Sequence, residues 1–192
     1  RKRLIDQSNC NKDFSCVNGF CPSFVTVHGA RVKKASVGVA STDGWADLPP
    51  PAQPALDHPF SILITGVGGT GVVTIGAILG MAAHLDGKAS GIIDMAGMAQ
   101  KGGAVVSHVR LAARADDIHA IRIAAGEADL VLGADTVVTG GKTTLSAVRH
   151  GSTSMIVNTA EIMPGDFTRN ADFRLPTERL RKAILDAAGA AQ

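Results

Sequence analysis

From residue 60 onward, the hydrophobic positions switch between the period of a strand and the period of a helix. Ser61 to Thr65 is a short apolar run that ends at Gly66, and from Gly71 to His84 the apolar residues recur at helical spacing. This pattern predicts a strand, a glycine turn and a helix. Further strands are predicted at 91–95, 104–112, 129–134 and 154–159, and further helices at 136–150 and 177–188.

The connection between the second and third predicted strands is short. Eight residues separate Met95 from Ala104, whereas a crossover between parallel strands needs about 10–12 residues. We therefore expect the third strand to run antiparallel to a neighbour. Together with the alternation of strands and helices, this predicts a three-layer α/β/α, Rossmann-like domain with a mostly parallel, mixed sheet.

Composition divides the chain into three zones. Residues 1–40 hold all three cysteines and form a small predicted segment of their own. Residues 41–59 contain the proline-rich run from Asp47 to Pro54, which favours extended polyproline II geometry and predicts a semi-rigid linker. Residues 60–192 form the α/β domain.

Charge and hydropathy exclude several classes of partner. The longest apolar stretch, from Val72 to Ala83, is too short to cross a bilayer, so we expect no membrane segment and a cytoplasmic location. The net charge of +2 conceals a basic arm, in which residues 1–34 carry seven Lys or Arg against two Asp. A nucleic-acid or zinc-binding arm is one interpretation, but aromatic residues there are limited to Phe14, Phe20 and Phe24, so we expect no nucleic-acid partner.

The glycine turn is the first candidate site. It satisfies the pattern GxGxxG between a predicted strand and a predicted helix, where free N–H groups and the helix dipole favour a phosphate. Its candidate cofactor-binding residues are Gly66, Gly68, Gly69, Thr70 and Gly71. Asp94 ends the second strand 23 residues after Gly71, near the position of a ribose-binding carboxylate. A free-standing NAD-binding dehydrogenase module is therefore an alternative interpretation.

A second candidate lies between the second and third strands. Gln100, Lys101, Gly102 and Gly103 combine an amide, a cation and two glycines in a loop that leaves the strand ends. That edge is the usual ligand side of an open sheet, and a solvated turn is the alternative. Asp135, directly after the fourth strand, is predicted to cap the following helix.

The cysteines form the third candidate. Cys10, Cys16 and Cys21 follow the spacing C-x5-C-x4-C, and Pro22 comes directly after the last of them. Thiolates bind iron or zinc, and a terminal Cys-Pro is typical of ferredoxin-type runs. A four-thiolate site lacks its fourth ligand here, so three free thiols are the alternative interpretation.

These motifs together resemble a known family. The glycine turn, followed by Gln100 to Gly103 and by a strand that ends Ser107-His108-Val109-Arg110, is similar to the gamma domain of 2-oxoacid:ferredoxin oxidoreductases. The cysteine segment from Ile5 to Val25, placed before that domain, resembles the fused, long-chain indolepyruvate branch of the family. Members often carry Arg before the Gly-Gly pair, where Lys101 supplies the charge here.

The resemblance implies a thiamine diphosphate enzyme that decarboxylates an aryl 2-oxoacid. Electrons would pass through [4Fe–4S] clusters to ferredoxin, and coenzyme A would take the acyl group. The implied partners are thiamine-binding and ferredoxin-like domains of the same enzyme, ferredoxin, a small-molecule substrate and further copies in a homo-oligomer. No GDG-type thiamine motif occurs in the 192 residues. We therefore assign no catalytic residue here, and expect these residues alone to bind no cofactor and to be inactive.

Overall fold

The computed structural model describes residues 54–97, 102–160 and 174–189, together with 28–29, 49 and 172. The chain divides into two compact units, Arg1–Gln53 and Pro54–Gln192. The elements below all belong to the second unit. The three cysteines and the loop residues Gln100 and Lys101 lie outside the described residues.

The second unit contains five strands and four α-helices within the described residues, in the predicted alternation. The strands are β1 (Phe60–Val67), β2 (Ala89–Ala96), β3 (Ala104–Ala112), β4 (Leu130–Gly133) and β5 (Ser154–Val157). The helices are α1 (Val72–Leu85), α2 (Thr136–Thr139), α3 (Lys142–Ala147) and α4 (Thr177–Ala188).

The sheet is mixed, as the short connection after Met95 predicts. Its order is β2-β3-β1-β4-β5. β3 runs antiparallel to both of its neighbours, β1 and β2, whereas β4 pairs parallel with β1 and with β5. Four strands therefore point one way and β3 points the other, which confirms the predicted α/β class with a mostly parallel sheet.

Each face of the sheet buries its own apolar cluster. On one face, Ile62 and Ile64 of β1 and Val109 of β3 pack with Val72 of α1. Leu63 lies on the opposite face because successive side chains of a strand alternate. There it packs with four further buried residues, Ile123, Ala128, Val131 and Ala147. Helical residues thus contribute to the core on both faces, α1 on one and α3 on the other, and this arrangement gives the three layers.

Helix α1 lies close to the sheet because two glycines face it. A Cβ added at Gly76 would stand 2.7 Å from the Ser107 hydroxyl oxygen, and one added at Gly80 would stand 2.5 Å from Ile92 Cδ1. Neither distance leaves room for a methyl group. The glycines therefore set the separation between the helix and strands β2 and β3.

The predicted helix at 136–150 is wrong in its length. The structure has two short helices, α2 and α3, separated by Gly140 and Gly141. Gly141 is extended, with φ −72° and ψ 148°. A Cβ at Gly140 would stand 2.9 Å from the Thr136 carbonyl oxygen and 3.0 Å from Leu180 Cδ2 of α4. The break lets α4 pack close to the chain at this point.

The predicted terminal helix is confirmed at 177–188. Ile184 is its buried residue, and Pro176 precedes its first turn. Asp135 caps α2, as predicted, by accepting a 2.8 Å hydrogen bond from the Val138 N–H. None of the helices in the described part of the chain is both long enough and apolar enough to cross a membrane.

His108 of β3 is a buried titratable residue. It is 6% exposed, and its Nδ1 accepts a 3.1 Å hydrogen bond from the Ile123 N–H. Burial lowers the pKa of His108 below its ordinary value, and the positive charges of Arg122 and Arg110 lower this pKa further. The fold therefore favours the neutral imidazole.

We predict that Gly76→Ala lowers the free energy of unfolding by about 1–3 kcal/mol, although alanine is the better helix former. The added Cβ would collide with the buried Ser107 hydroxyl. Urea unfolding of the 192-residue chain measures the change.

The matched control is Gly76→Ala combined with Ser107→Ala. The Ser107 hydroxyl is buried without a hydrogen-bond partner among the described residues, so removing it relieves the collision at little cost. We expect the double variant to recover most of the lost stability. A double variant no more stable than Gly76→Ala alone would contradict this packing.

We also predict that stability falls on acidification from about pH 7.5 to about pH 5.5. Because the pKa of His108 is lower in the folded state, the unfolded chain binds more protons at this residue in this pH window. Falling pH therefore lowers the free energy of unfolding. His108→Gln keeps an acceptor for the Ile123 N–H and does not titrate. The variant should flatten the pH dependence of the urea midpoint, and an unchanged slope would assign the effect to other groups.

Candidate functional site

The glycine turn connects β1 to α1 at one edge of the sheet. Gly69 and Gly71 have φ angles of 99° and 88°, in the left-handed region that favours glycine. The Thr70 N–H and the Thr70 hydroxyl both donate to the Val67 carbonyl oxygen, at 3.1 and 2.8 Å. These bonds close the turn and fix where α1 begins.

The turn leaves several backbone donors free. Among the described residues, the N–H groups of Gly69, Gly71 and Val72 have no hydrogen-bond partner. A cleft of about 300 Å³ lies beside them, with Thr74 and Val105 among its walls. Free N–H groups at the start of a 14-residue helix favour an anion.

The structure joins the glycine turn to the second candidate segment. The Gly68 N–H donates to the Gly103 carbonyl oxygen over 2.8 Å. Gly102 has a φ of 69°, so this segment also turns through the left-handed region. Gly103 of the second motif therefore lies beside the glycine turn, and the Gly68 N–H is already occupied.

Gly66 is the most crowded glycine of the motif. A Cβ there would overlap the Thr70 side chain and stand 2.9 Å from both Ala134 Cβ and Val72 Cγ2. At Gly68, by contrast, a Cβ would meet the Gly103 carbonyl oxygen at 3.5 Å, an ordinary contact. The GxGxxG pattern thus combines one close-packing glycine with two left-handed ones, Gly69 and Gly71.

Asp94 does not join this site. β3 lies between β2, which carries Asp94, and β1, which leads into the glycine turn. Two strand spacings, about 10 Å, therefore separate the strands of these motifs, where adjacent strands would be about 5 Å apart. A dinucleotide site of the NAD type needs its ribose-binding carboxylate next to the glycine turn. The sheet order removes the main support for the NAD interpretation.

Asp135 does more than cap α2. It is fully buried, and its Oδ2 accepts a 2.6 Å hydrogen bond from the Val67 N–H, while Oδ1 accepts the bond from Val138. Next to it, the hydroxyl oxygens of Thr65 and Thr139 lie 2.9 Å apart. One carboxylate thus ties the end of β1, where the glycine turn starts, to the first turn of α2.

Sequence reasoning predicted the cap but missed the second bond. The second bond joins residues 68 positions apart, and it exists because β1 and β4 pair in parallel. A lone Asp after an apolar strand was the only available sign.

Gln100, Lys101, Cys10, Cys16 and Cys21 lie outside the described residues. Across the described ranges, no group of three or more His, Cys, Asp or Glu side chains could hold a metal ion.

Comparisons with known proteins give a consistent result. A family model described as pyruvate ferredoxin/flavodoxin oxidoreductase matches residues 61–190. The indolepyruvate oxidoreductase subunit IorB of Methanothermobacter thermautotrophicus is 29% identical over 135 residues, which cover 68% of this chain and 63% of that protein. The IorB subunit of Pyrococcus horikoshii is 36% identical over 78 residues, covering 41% of this chain and 37% of that protein. The chain thus spans less than two thirds of the length of these relatives.

Among solved structures, the pyruvate oxidoreductase subunit PORC of Thermotoga maritima superimposes with a TM-score of 0.46 at 19% identity. The superposition covers 66% of this chain and 57% of that one.

We predict that Asp135→Ala lowers the free energy of unfolding by about 3 kcal/mol, because the buried Val67 N–H and the partly buried Val138 N–H both lose their acceptor. Asp135→Asn retains one acceptor oxygen and should lose less. Asp116→Ala is the control, since Asp116 is exposed and should change stability by less than about 0.5 kcal/mol. Equal midpoints for Asp135→Ala and Asp116→Ala in urea unfolding would contradict this role.

Proposed function

Because the chain belongs to the pyruvate ferredoxin/flavodoxin oxidoreductase family, we propose that it is the gamma-type domain of a 2-oxoacid:ferredoxin oxidoreductase. The family match over residues 61–190 carries this proposal, since it covers nearly the whole α/β unit. The domain acts inside a larger enzyme and contributes binding and docking surfaces. The residues that carry out the reaction belong to other domains.

The proposed reaction is the oxidative decarboxylation of an aryl 2-oxoacid such as indolepyruvate. The names of the curated relatives, indolepyruvate oxidoreductase subunits, support this substrate class. The 2-oxoacid loses carbon dioxide, its acyl group forms a thioester with the coenzyme A thiol, the thiol proton is released, and two electrons reduce ferredoxin. Thiamine diphosphate, held by another domain, supplies the carbanion chemistry.

We assign the glycine turn to the phosphates of coenzyme A. The free N–H groups of Gly69, Gly71 and Val72 suit such a group, and the left-handed turns let the backbone approach it closely. To Lys101, two residues before Gly103 in the sequence, we assign the positive charge that pairs with a phosphate. The role of this chain is then to bind coenzyme A and to orient its thiol group.

The outer face of α1 supports a role as part of an assembly. Ile78, Met81 and Leu85 are 62%, 59% and 78% exposed, and α1 contains no Asp, Glu, Lys or Arg. A helix that is apolar all round is normally buried. We propose that this stripe docks against another domain or subunit of the same oxidoreductase, in the cytoplasm.

We further propose that Cys10, Cys16 and Cys21 are ligands of a [4Fe–4S] cluster in a ferredoxin-like segment. A fourth ligand would come from elsewhere in the enzyme, since such clusters usually need four thiolates. Electrons would pass from this segment to ferredoxin.

We predict that Lys101→Ala raises the KM for coenzyme A about tenfold in the intact oxidoreductase and leaves kcat nearly unchanged. Loss of one charge-assisted hydrogen bond accounts for that factor. Steady-state kinetics with the 2-oxoacid held at saturation measure it.

The matched control is Lys88→Ala. Lys88 lies beyond the opposite end of α1, where it pairs with Asp86 over 3.3 Å, and its loss should leave the KM for coenzyme A unchanged. Equal effects of the two substitutions would refute the assignment of the glycine turn. Micromolar binding of NADH by the chain, with no effect of coenzyme A, would favour the dehydrogenase interpretation instead.

A further inference from the structure

A second cavity lies on the face of the sheet opposite α1, away from the glycine turn. Its volume is about 380 Å³, toward the small end of the range of about 300–1,000 Å³ typical of ligand pockets. Leu63, Val106, Ile123 and Ala147 give it apolar walls, and Leu63 and Ala147 are only 1% and 5% exposed. The interior therefore suits the body of a small apolar molecule.

His108 gives this cavity a fixed hydrogen-bond donor. Its Nδ1 accepts the Ile123 N–H, so the neutral ring carries its proton on Nε2. The hydrogen bond of the His108 ring among the described residues is the one at Nδ1, which leaves Nε2 without a partner there. Since the side chain is 6% exposed and lines the cavity, this N–H is available to a ligand there.

Arg122 adds a positive charge to the wall of the cavity. No carboxylate lies within 4 Å of its guanidinium in the part of the chain that the structure describes. Arg110 of β3 differs, because its Nη2 donates to Glu127 Oε2 over 2.6 Å. The described lining contains no Asp or Glu. The lining therefore combines a cation without an ion pair and a neutral donor. The carboxylate of Glu127, which accepts the N–H of the lining residue Ala124 over 3.2 Å, is already paired with Arg110.

We propose that this cavity binds a small organic carboxylate with an apolar body. The carboxylate accepts hydrogen bonds from the Arg122 guanidinium and from His108 Nε2–H, and the apolar body lies against Leu63, Val106 and Ala147. Inorganic phosphate would satisfy the donors but would leave the apolar walls without a contact. The site is separate from the glycine turn and independent of the proposed oxidoreductase activity.

Titration calorimetry on the 192-residue chain, with phenylacetate as the probe, tests the proposal. We expect saturable binding at neutral pH. 2-Phenylethanol, which keeps the ring and lacks the charge, should bind about tenfold more weakly or worse. Inorganic phosphate should also bind more weakly than phenylacetate, because it buries no apolar surface.

Two charge-matched variants identify the contact. Arg122→Gln should weaken phenylacetate binding about tenfold, whereas Arg179→Gln, an exposed arginine on α4 outside the cavity, should not change it. Both residues are exposed, so both variants should fold, which the urea midpoint checks. Ala125→Trp, at an exposed lining position, should block the cavity and abolish binding.

Four outcomes would overturn the proposal. The first three are an absence of saturable phenylacetate binding, equal binding of 2-phenylethanol, and equal weakening by Arg122→Gln and Arg179→Gln. Phosphate binding as tight as that of phenylacetate would also overturn it, because the site would then be a simple anion site.

Discussion

The rest of the domain depends on the reversal of direction between β2 and β3, which pair antiparallel across a connection that is short in sequence. β3 then takes the place beside β1 that a crossover would have given to a parallel strand. This single reversal moves Asp94 one strand further from the glycine turn. The reversal also brings the Gly103 carbonyl oxygen to the Gly68 N–H. It therefore separates the Asp94 carboxylate from the glycine turn and places Gly103 beside that turn instead.

β1, at the centre of the sheet, links the two faces. Its even-numbered side chains, such as Ile62 and Ile64, pack toward α1, and Leu63 packs toward the cavity that His108 lines. Its last N–H is held by Asp135 from the neighbouring β4–α2 connection. Position and direction of the glycine turn therefore follow from parallel pairing on one side of β1 and antiparallel pairing on the other.

Local pattern predicted the strands, α1, α4, the mixed sheet and the Asp135 cap, because each depends on residues close in sequence. Local pattern did not predict the strand order, because nothing in the sequence near Asp94 indicates that β3 lies between β2 and β1. The same holds for the Val67–Asp135 bond and for His108, whose surroundings come from residues 122–123. Gly140 and Gly141 stand at the break between α2 and α3, and the contact with Leu180 that accompanies the break is tertiary.

Helix α1 places its small residues toward the sheet and its large ones outward. Gly76 and Gly80 face β3 and β2, so the bulk of Ile78, Met81 and Leu85 has no partner within the described chain. Such a surface is a liability for a freshly made polypeptide, because exposed apolar patches promote self-association. The solubility of this domain therefore depends on whether that surface is covered.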